Sequence, residues 1–537
     1  MTVLRIFVGL AAGAAFLNVL LTLQNVWPTP WVRSTPEISI EIVILLCAFA
    51  VVTEFRGLPG RTARWAVSAA LLLLVIGRYA DITAPALFGR PIDLYWDAQH
   101  LPAVVAMIME SAPAWQVIAL AVGIVAGVII LYLTIRLAVG GILAAMPVAG
   151  LRRGVGIASV LAIVLYSVNS AGVHTGTATA YALPVTPVYA AQANFLIRAS
   201  RADMRQPAVM PASDLAHAGG GDVYTFFFES YGAIVHDRPE MRTALAGDYE
   251  NLNAVLARSG WQSVSALVDS PTFGGGSWLA HATLLTGDWI TREPEYRMFL
   301  AAPPETLVDR FRKAGYRTVA LFPGIRLNWP EGAAMGFDSI MTSRNIAYRG
   351  PAFGWWTIPD QASLEAFHHA EISRSDRKPL FLTYASVMSH LPFGPTPPYQ
   401  ADWGRIATET PFDPAEADAA LALAPDWQDM TPAYLRSIRY NLQMLGGFLE
   451  KRAPEDALIV VLGDHQPPAV VSGAAASWAV PVHIFSRNSA ILERFATAGF
   501  QPGLTPASPV LMRMDALNHL LLHALDSSPR LAGALHR

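Results

Sequence analysis

Cysteine is almost missing from this sequence, and charge is scarce. The 537 residues include one cysteine, Cys47, inside an apolar run, which excludes a disulfide framework and a cysteine-based zinc cluster. Charged residues make up 15% of the chain, and the formal net charge is −3. So small a charge does not favour binding to nucleic acid, and we expect no such partner.

Hydrophobic residues, in contrast, make up 53% of the chain, more than an ordinary soluble protein carries. The excess lies in the first third, where apolar stretches each approach the roughly 20 residues needed to cross a membrane. We predict five spanning helices, at about residues 3–26, 37–55, 65–84, 115–138 and 153–171. They form a transmembrane domain over residues 1–171. The first stretch ends at Trp27-Pro28 without a small-residue cleavage site, so we interpret it as an anchor and not as a signal peptide.

The basic residues around the spans predict the orientation of the chain. On one side of the predicted helices lie Arg5, Arg56, Arg61, Arg64, Arg136, Arg152 and Arg153. Because excess basic residues stay in the cytoplasm, this side is predicted to be cytoplasmic. An odd number of spans then leaves the N-terminus in the cytoplasm and everything after about residue 171 in the periplasm or outside the cell. We therefore expect a multi-pass protein of the inner (cell) membrane.

The remaining sequence predicts a linker and a second domain. Residues 172–219 are rich in Ala, Pro, Ser and Thr, which is typical of a linker, here partly helical. From residue 220 to 537, short apolar runs alternate with helical segments. That alternation predicts an α/β domain with a largely parallel central sheet. The predicted strands are Val223–Glu229, Gln262–Leu267, Arg317–Phe322, Pro379–Ser386, Leu458–Gly463 and Val480–Ser486.

Two of these apolar runs end abruptly in groups that bind metals. One ends at Glu229, and the other is followed by Asp464 and His465. Open α/β sheets build their sites at the carboxyl ends of their strands. Two carboxylates and an imidazole that meet at such an edge indicate a divalent cation.

A glycine-rich turn supplies a candidate nucleophile. The glycines Gly274, Gly275 and Gly276 precede Ser277 and a helix-compatible run. Glycines let backbone N–H groups approach an anion, and a helix N-terminus adds partial positive charge. The alternative is that Ser277 is only an N-cap on a flexible turn. Thr272 and Thr286 remain conceivable substitutes as nucleophile.

Taken in order, these motifs resemble the alkaline phosphatase and sulfatase superfamily. Within it, they resemble the membrane-anchored group of lipoteichoic acid synthases and phosphoglycerol transferases. The matching elements are Phe226–Ser230, the turn with Ser277, Leu321–Trp329 followed by Gly336–Asp338, Gly354–Asp360, Ser389–Phe393 and Gly463–Pro467. The predicted five-span anchor fits the same group. The resemblance implies an alkaline phosphatase/sulfatase-like fold for residues 220–537.

The resemblance also implies roles for individual residues. It implies one divalent metal, manganese in preference to magnesium or zinc, held by Glu229, Ser277, Asp464 and His465. Ser277 would form a phosphoserine intermediate, and His390 would bind the phosphoryl group or protonate the leaving alcohol. Arg326 and Trp329 would contact the transferred headgroup. His281, one helical turn after Ser277, is interpreted as a packing residue and left out of the metal set.

We therefore expect a transferase that moves a phosphoglycerol-type group from a phospholipid to a hydroxyl of a periplasmic glycan or another lipid. No Cys or Ser followed by x-Pro-x-Arg stands near the glycine turn, which argues against sulfate-ester hydrolysis. The lack of disulfides disfavours, without excluding, a phosphoethanolamine transferase. Two further hypotheses are hydrolysis at the same site, as a phosphodiesterase or phosphatase, and an inactive membrane-bound scaffold. His368 and His369 are interpreted as solvated, and His483 as a core residue.

Overall fold

The structure of the chain is a computed structural model. The described residues are 2–27, 29–88, 91–111, 113–171, 180–199, 210–326, 329–354, 356–423, 425–473 and 475–527. Parts of the predicted linker, residues 172–179 and 200–209, lie outside them. The chain divides into two compact units, Met1–Ala202 and Asp203–Arg537.

In its described residues, the first unit consists mainly of helices and includes one short hairpin. Its helices are α1 (Thr2–Leu21), α2 (Ile40–Arg56), α3 (Arg61–Phe88), α4 (Leu94–Ser111), α5 (Ala114–Ala145), α6 (Ala149–Ser170) and α7 (Thr186–Ala199). The hairpin pairs β1 (Gln24–Asn25) with β2 (Val32–Arg33). Small residues bring α1 and α5 together, since a Cβ atom on Gly13 would lie 2.6 Å from the Ala138 carbonyl oxygen. Such close approach through small residues is typical of helices that associate in membranes.

Five of these helices coincide with the predicted spans. By length and composition, α1, α3, α5 and α6 are able to cross a membrane. Helix α2 is equally apolar but has only 17 residues, or about 25 Å at 1.5 Å per residue, slightly less than the hydrocarbon thickness. The unit therefore holds four to five apolar helices of the kind predicted, which indicate a membrane anchor.

The second unit contains a mixed sheet. Its strands are β3 (Val223–Phe228), β4 (Gln262–Asp269), β5 (Arg317–Phe322), β6 (Ser339–Thr342), β7 (Leu380–Ala385), β8 (Leu458–Gly463), β9 (Ala479–Ser486), β10 (Gln501–Pro502) and β11 (Met512–Arg513). They lie in the order β10-β4-β9-β8-β3-β7-β5-β6, with β11 beside β4. The six predicted strands are all present, and the five from β8 to β6 are parallel.

Strand β9 is the main departure from a parallel sheet, because it runs antiparallel to both of its neighbours. Between β8 and β9 the chain forms only a four-residue helix, α17 (Ala469–Ser472). A parallel connection needs a longer crossover, usually a full helix, so the chain reverses onto the adjacent position instead.

Helices cover both faces of the sheet. Besides α17, they are α8 (Ile234–Asp237), α9 (Pro239–Ser259), α10 (Ser277–Thr286), α11 (Glu293–Ala301), α12 (Leu307–Lys313), α13 (Pro330–Ala334), α14 (Asp360–Phe367), α15 (Pro414–Ala422), α16 (Thr431–Lys451), α18 (Ser489–Thr497) and α19 (Met514–Leu525). Alternation along β3 sends Tyr224 and Phe226 into one buried cluster and Phe227 into the other. Each buried aromatic side chain of this kind contributes roughly 1.5–3 kcal/mol to stability.

The register of the central strands decides where the site lies. Phe228, the last residue of β3, is paired with Gly463, the last residue of β8. The next residues, Glu229 and Asp464, therefore leave two neighbouring strands at the same level. Strand β7 is parallel to β3 on its other side, so the loop that carries His390 begins at the same edge.

Candidate active site

Asp464 is fixed at the edge of the sheet by two backbone donors. The N–H groups of Ser230 and His465 donate to its Oδ1 atom, at 2.8 and 2.7 Å. The side chain is 1% exposed. Because both donors use Oδ1, the second oxygen, Oδ2, is directed towards the other polar groups of the site, 3.7 Å from His465 Nε2.

The imidazole of His465 has one nitrogen occupied and one facing the site. Its Nδ1–H group donates to the carbonyl oxygen of Gln466 over 2.8 Å. In the neutral imidazole, this hydrogen bond selects the tautomer in which Nε2 carries the lone pair. Nε2 lies 3.3 Å from Glu229 Oε1 and 3.3 Å from the hydroxyl oxygen of Ser277.

Ser277 is the first residue of α10 and not its N-cap. The N-cap is Gly276, in the left-handed conformation at φ 78°, where an L side chain is strained. The Ser277 hydroxyl donates to Glu229 Oε2 over 3.0 Å. The interpretation of Ser277 as a simple cap is therefore wrong, because its hydroxyl is directed at the carboxylate.

The glycine turn is attached to the segment that carries the other site residues. Gly274 N–H donates to the carbonyl of Gln466 over 3.0 Å, and Phe273 and Gln466 form a parallel β-bridge. The two threonines considered as alternative nucleophiles make hydrogen bonds away from the carboxylates. The Thr272 hydroxyl donates to the Gly275 carbonyl, and the Thr286 hydroxyl donates to the Ala282 carbonyl. The structure thus directs Ser277, and neither threonine, at the carboxylates.

The three ionisable groups perturb one another strongly. For Asp464, burial and the charge of Glu229 raise the pKa to about 8. Burial opposes a charged His465, but the carboxylates of Asp464 and Glu229 outweigh it and raise its pKa to about 9. Burial also opposes ionisation of Glu229, whose pKa is nevertheless lowered by the positive charges of His390 and His465. Without a cation, the cluster therefore retains protons at neutral pH.

This donor set fits a divalent cation. One ligand atom from each of Glu229, Asp464 and His465 lies within 4.8 Å of the others, and the Ser277 hydroxyl adjoins two of them. Two carboxylates, one imidazole nitrogen and one hydroxyl suit Mn²⁺, Mg²⁺ or Zn²⁺. The structure therefore brings together the four residues predicted to hold a metal.

His390 lies in the loop that follows β7. Its Nδ1–H group donates to the carbonyl of Leu391 over 2.7 Å, which leaves Nε2 for other partners. The centre of its ring is 4.8 Å from that of Trp356. The charge of His390 is the largest of those that lower the pKa of Glu229, so the two side chains share one site.

Three residues without a predicted role hold this loop. Asp360 is fully buried and accepts the N–H groups of Val387 and Met388 at 2.9 and 2.8 Å. Burial raises its pKa to about 6, although these two hydrogen bonds oppose the shift. Ser389 donates to the Glu229 carbonyl over 2.6 Å and accepts from Asn441 over 2.8 Å. Asp360 and Ser389 lie in two of the sequence elements that match the superfamily, Gly354–Asp360 and Ser389–Phe393. Their presence in these elements is the sequence signal that indicates a role for them.

The predicted headgroup contacts, Arg326 and Trp329, follow β5. Trp329 packs on Phe322, with ring centres 4.7 Å apart, and Arg326 is half-buried. Leu327 and Asn328, between them, lie outside the described residues. Strand β5 is the parallel neighbour of β7, so this segment leaves the sheet at the edge where His390 lies. Their role in binding a headgroup remains a prediction.

The four other histidines interpreted from the sequence, His281, His368, His369 and His483, lie in three environments. His281 packs between Phe227 and Phe322, and burial lowers its pKa to about 4. His483 is a buried core residue, as predicted, with its Nε2 atom 2.9 Å from the Tyr231 hydroxyl. His369 is exposed, but its Nε2 atom lies 3.1 Å from the buried Glu365 carboxylate. With His368, these two form a second group able to hold a metal, although Arg452 occupies both Glu365 oxygens.

Sequence comparison identifies a family for part of the chain. The sulfatase family model matches residues 272–481, a range that contains Ser277, His390, Asp464 and His465. No curated protein is significantly similar to the chain in sequence.

Three solved structures are among those to which this chain is similar. The lipoteichoic acid synthase LtaP from Listeria monocytogenes is 13% identical, with a TM-score of 0.35, over 49% of this chain and 65% of that one. The phosphoglycerol transferase GacH from Streptococcus pyogenes, in complex with sn-glycerol-1-phosphate, is 14% identical, with a TM-score of 0.34, over 53% and 78%. The C-terminal periplasmic domain of EcEptC from Escherichia coli is 12% identical, with a TM-score of 0.34, over 52% and 77%.

This chain spans slightly less than two thirds of the Listeria protein, 65%. At such identities and TM-scores, the likeness carries no information about substrate. The family match, in contrast, covers the glycine turn and the end of strand β8, from which most of the site is built. Residues 272–481 of this chain thus match the sulfatase family, which belongs to the superfamily expected from the sequence.

Proposed function

We propose that this protein is a membrane-anchored, metal-dependent transferase. It would move a phosphoglycerol-type group from a phospholipid to a hydroxyl of a periplasmic glycan or of another lipid. One observation carries the proposal: the Ser277 hydroxyl oxygen lies 3.0 Å from Glu229 Oε2 and 3.3 Å from His465 Nε2. A serine hydroxyl beside a buried carboxylate cluster is the arrangement that covalent catalysis requires.

Glu229, Asp464, His465 and the Ser277 hydroxyl would hold one divalent cation, for which we propose manganese, with magnesium or zinc as alternatives. When bound, the cation supplies Lewis acidity that lowers the pKa of the hydroxyl and neutralises charge on the phosphoryl oxygens. The protein contributes the rigid placement of these side chains. The backbone donors to Asp464 Oδ1 and the Gln466 acceptor of His465 provide it.

In the first half-reaction, Ser277 Oγ attacks the phosphorus of the donor lipid. A bond forms between Oγ and phosphorus, and the bond between phosphorus and the diacylglycerol oxygen breaks. The hydroxyl proton leaves along the hydrogen bond to Glu229 Oε2. The departing diacylglycerol oxygen takes a proton from His390, whose Nε2 atom is available because Nδ1–H donates to Leu391.

In the second half-reaction, the roles of His390 are reversed. An acceptor hydroxyl gives its proton to the neutral imidazole, and its oxygen forms a bond to the phosphorus. The bond between phosphorus and Ser277 Oγ breaks, and Oγ takes back the proton held at Glu229 Oε2. Water in place of the acceptor alcohol makes the same chemistry a hydrolysis. Selectivity for transfer therefore depends on which oxygen nucleophile reaches the phosphoserine.

An anchor suits this reaction. The donor lipid is confined to a membrane leaflet, and a tethered domain meets it at a high effective concentration. We propose that Arg326 and Trp329, in the segment after β5, contact the headgroup. A guanidinium group supplies bidentate hydrogen bonds to phosphate, and an indole ring supplies a flat apolar surface.

The test is to identify the group that is transferred. Metal-loaded full-length protein is incubated with phosphatidylglycerol vesicles and quenched in acid, and the peptide that contains Ser277 is analysed by mass spectrometry. We expect a glycerophosphoryl adduct on Ser277 and no adduct on the Ser277→Ala variant. An adduct only from phosphatidylethanolamine would identify a phosphoethanolamine transferase instead. Rapid headgroup release without any alcohol acceptor would identify a hydrolase, and metal-loaded protein without any adduct would contradict covalent catalysis.

A further inference from the structure

A basic cleft lies at one end of the helices in the first unit. It has a volume of about 630 Å³ and lies where α3 begins, after the short loop that follows α2. Three arginines contribute to its wall, Arg61 and Arg64 from α3 and Arg136 from α5. The rest of the wall is mostly apolar or small, and no carboxylate belongs to it among the described residues.

Among the described residues, no carboxylate of the cleft wall balances the positive charge of the three arginines. Arg64 Nε donates to the Pro59 carbonyl over 2.9 Å. The guanidinium carbon atoms of Arg136 and Arg61 lie 4.6 and 5.8 Å from the ring centre of Trp65. Acidic residues are present nearby in the chain, but Glu54 pairs with Arg152, which does not line this cleft. The cleft therefore concentrates positive charge.

Arg136 makes the strongest case for a bound anion. It precedes the last residue of α5, Ala145, by nine positions, or about 13 Å along the helix axis at 1.5 Å per residue. The predicted span ends at residue 138, so Arg136 lies near the predicted cytoplasmic end of its span, and its guanidinium group contacts the Trp65 ring. A phosphate in the cleft would give this guanidinium group charge-assisted hydrogen bonds.

The position of the cleft indicates the source of the phosphate. Arg61 is the first residue of α3, and Leu58 and Val139 provide apolar wall beside the arginines. A tryptophan with arginines at the end of spanning helices is typical of the headgroup region of a membrane. Basic pockets between such helices bind anionic lipid headgroups. A lipid presents a phosphate and an apolar chain together, which matches both parts of the wall.

We propose that the cleft bounded by Arg61, Arg64 and Arg136 binds the phosphate of an anionic phospholipid headgroup. The inference is independent of the proposed function, because no residue of the Ser277 site takes part in it. By the basic-residue pattern, this end of the helices faces the cytoplasm. The cleft would then hold a lipid of the inner leaflet, whereas the predicted transferase reaction takes place on the other side.

Native mass spectrometry of the full-length protein in neutral detergent tests the proposal, with phosphatidylglycerol or phosphatidylcholine as the probe. We expect the protein to retain phosphatidylglycerol in preference to phosphatidylcholine. The double variant Arg64→Gln/Arg136→Gln should lose one bound phosphatidylglycerol, with retention about tenfold weaker. Arg56→Gln is the matched control, because Arg56 lies on the same predicted side but outside the cleft, and it should retain the lipid.

A second measurement separates binding from folding and lipid from free phosphate. Phosphatidylglycerol should raise the Tm of the wild-type protein and of Arg136→Lys, which keeps the charge. It should not raise the Tm of the double variant, whose Tm in phosphatidylcholine should be unchanged. Equal retention by the double variant and Arg56→Gln would overturn the proposal. Release of the lipid by millimolar inorganic phosphate would show a site for a soluble anion and would overturn it as well.

Discussion

The Nε2 atom of His465 lies 3.3 Å from the hydroxyl oxygen of Ser277, although 188 positions separate the two residues in the chain. Each is held there by a separate hydrogen bond, from His465 Nδ1–H to the Gln466 carbonyl and from the Ser277 hydroxyl to Glu229. A candidate nucleophile and a candidate metal ligand are thus neighbours before any substrate arrives.

Glu229→Gln should remove the bound metal. The amide keeps the shape of the side chain but loses the charge that balances the cation, so we expect metal content to fall from about one per chain to near zero. Elemental analysis of the purified, dialysed protein measures this directly. His369→Gln, in the second group of potential ligands, is the control and should keep its metal. If metal content follows His369 instead, the catalytic metal site has been assigned wrongly.

Metal affinity should increase with pH. In the metal-free protein the pKa of Asp464 is raised to about 8 and that of His465 to about 9, so protons compete with the cation below these values. Calorimetric titration with Mn²⁺ in buffers of different ionisation enthalpy should detect proton release at neutral pH and almost none about one unit above the higher pKa. Binding whose affinity does not change across this range would contradict the predicted competition.

The same shifts predict the stability of the metal-free protein. Both pKa values are raised above the ordinary values of 3.8 and 6.5, so the folded state binds protons more tightly than the unfolded state. The resulting stability is present at low pH and is lost as pH rises, from about 4 to 8 for Asp464 and from 6.5 to 9 for His465. Melting curves with a chelator should show a Tm that falls over this window, and Mn²⁺ should reverse the fall.

His390→Asn should slow the transfer of groups whose leaving alcohol needs a proton. General acid–base catalysis contributes typically about 10²–10⁴-fold, and we expect a loss in kcat of that order with a phospholipid donor. With a nitrophenyl phosphodiester, whose leaving group departs without a proton, the loss should be much smaller. Trp356→Phe, beside the imidazole, is the packing control. Equal losses on both donors would show that His390 does not act as the acid.

The variant Asp360→Asn tests whether Asp360 fixes the loop that carries His390. The carboxylate accepts two backbone N–H groups, from Val387 and Met388, whereas an amide accepts only one and points its own N–H₂ at the other. Leaving a buried donor unsatisfied costs about 1–3 kcal/mol. Denaturant unfolding should show this loss and kinetics should show a lower kcat, while metal content stays at the wild-type value. Loss of the metal would mean that Asp360 supports the ligands as well as the loop.

Labelling of single cysteines tests the predicted orientation. In a Cys47→Ser background, Asp426→Cys places a thiol on an exposed position of the second unit, and Gly60→Cys places one after α2. We expect an impermeant maleimide to label Asp426→Cys in intact spheroplasts and Gly60→Cys only after lysis. The reverse pattern would place the sulfatase-family domain in the cytoplasm and would exclude a periplasmic acceptor.

Local sequence patterns predicted most of the fold and the residues at the centre of the site. The six long strands are apolar runs bounded by turns, and Glu229 and Asp464 stand where two of those runs stop. The direction of β9 could not be predicted from the sequence, because a fully buried antiparallel strand has the same apolar composition as a parallel one. The short strands β6, β10 and β11 have no periodic pattern of their own.

The supporting residues were not predictable from local patterns. Asp360 acts on backbone groups 27 and 28 positions away, and Ser389 acts on the Glu229 carbonyl across 160. Such roles exist only once the loops have been placed by the sheet, and any buried Asp or Ser has the same appearance in a sequence. Hydrogen bonds that fix a loop therefore emerge from tertiary structure, while the groups they position are visible from strand ends.

The hydrogen bond from Gly274 to the Gln466 carbonyl ties the turn before Ser277 to the segment that follows Asp464 and His465. The proposed nucleophile and metal ligands are thereby held in one frame built around β3 and β8. The segment after β5, which carries Arg326 and Trp329, belongs to another strand, so we expect exchanges there to alter donor preference while Ser277 and the proposed ligands keep their spacing. Exchange of that segment alone between related proteins, with His390 and its loop left in place, should therefore transplant donor preference without loss of turnover.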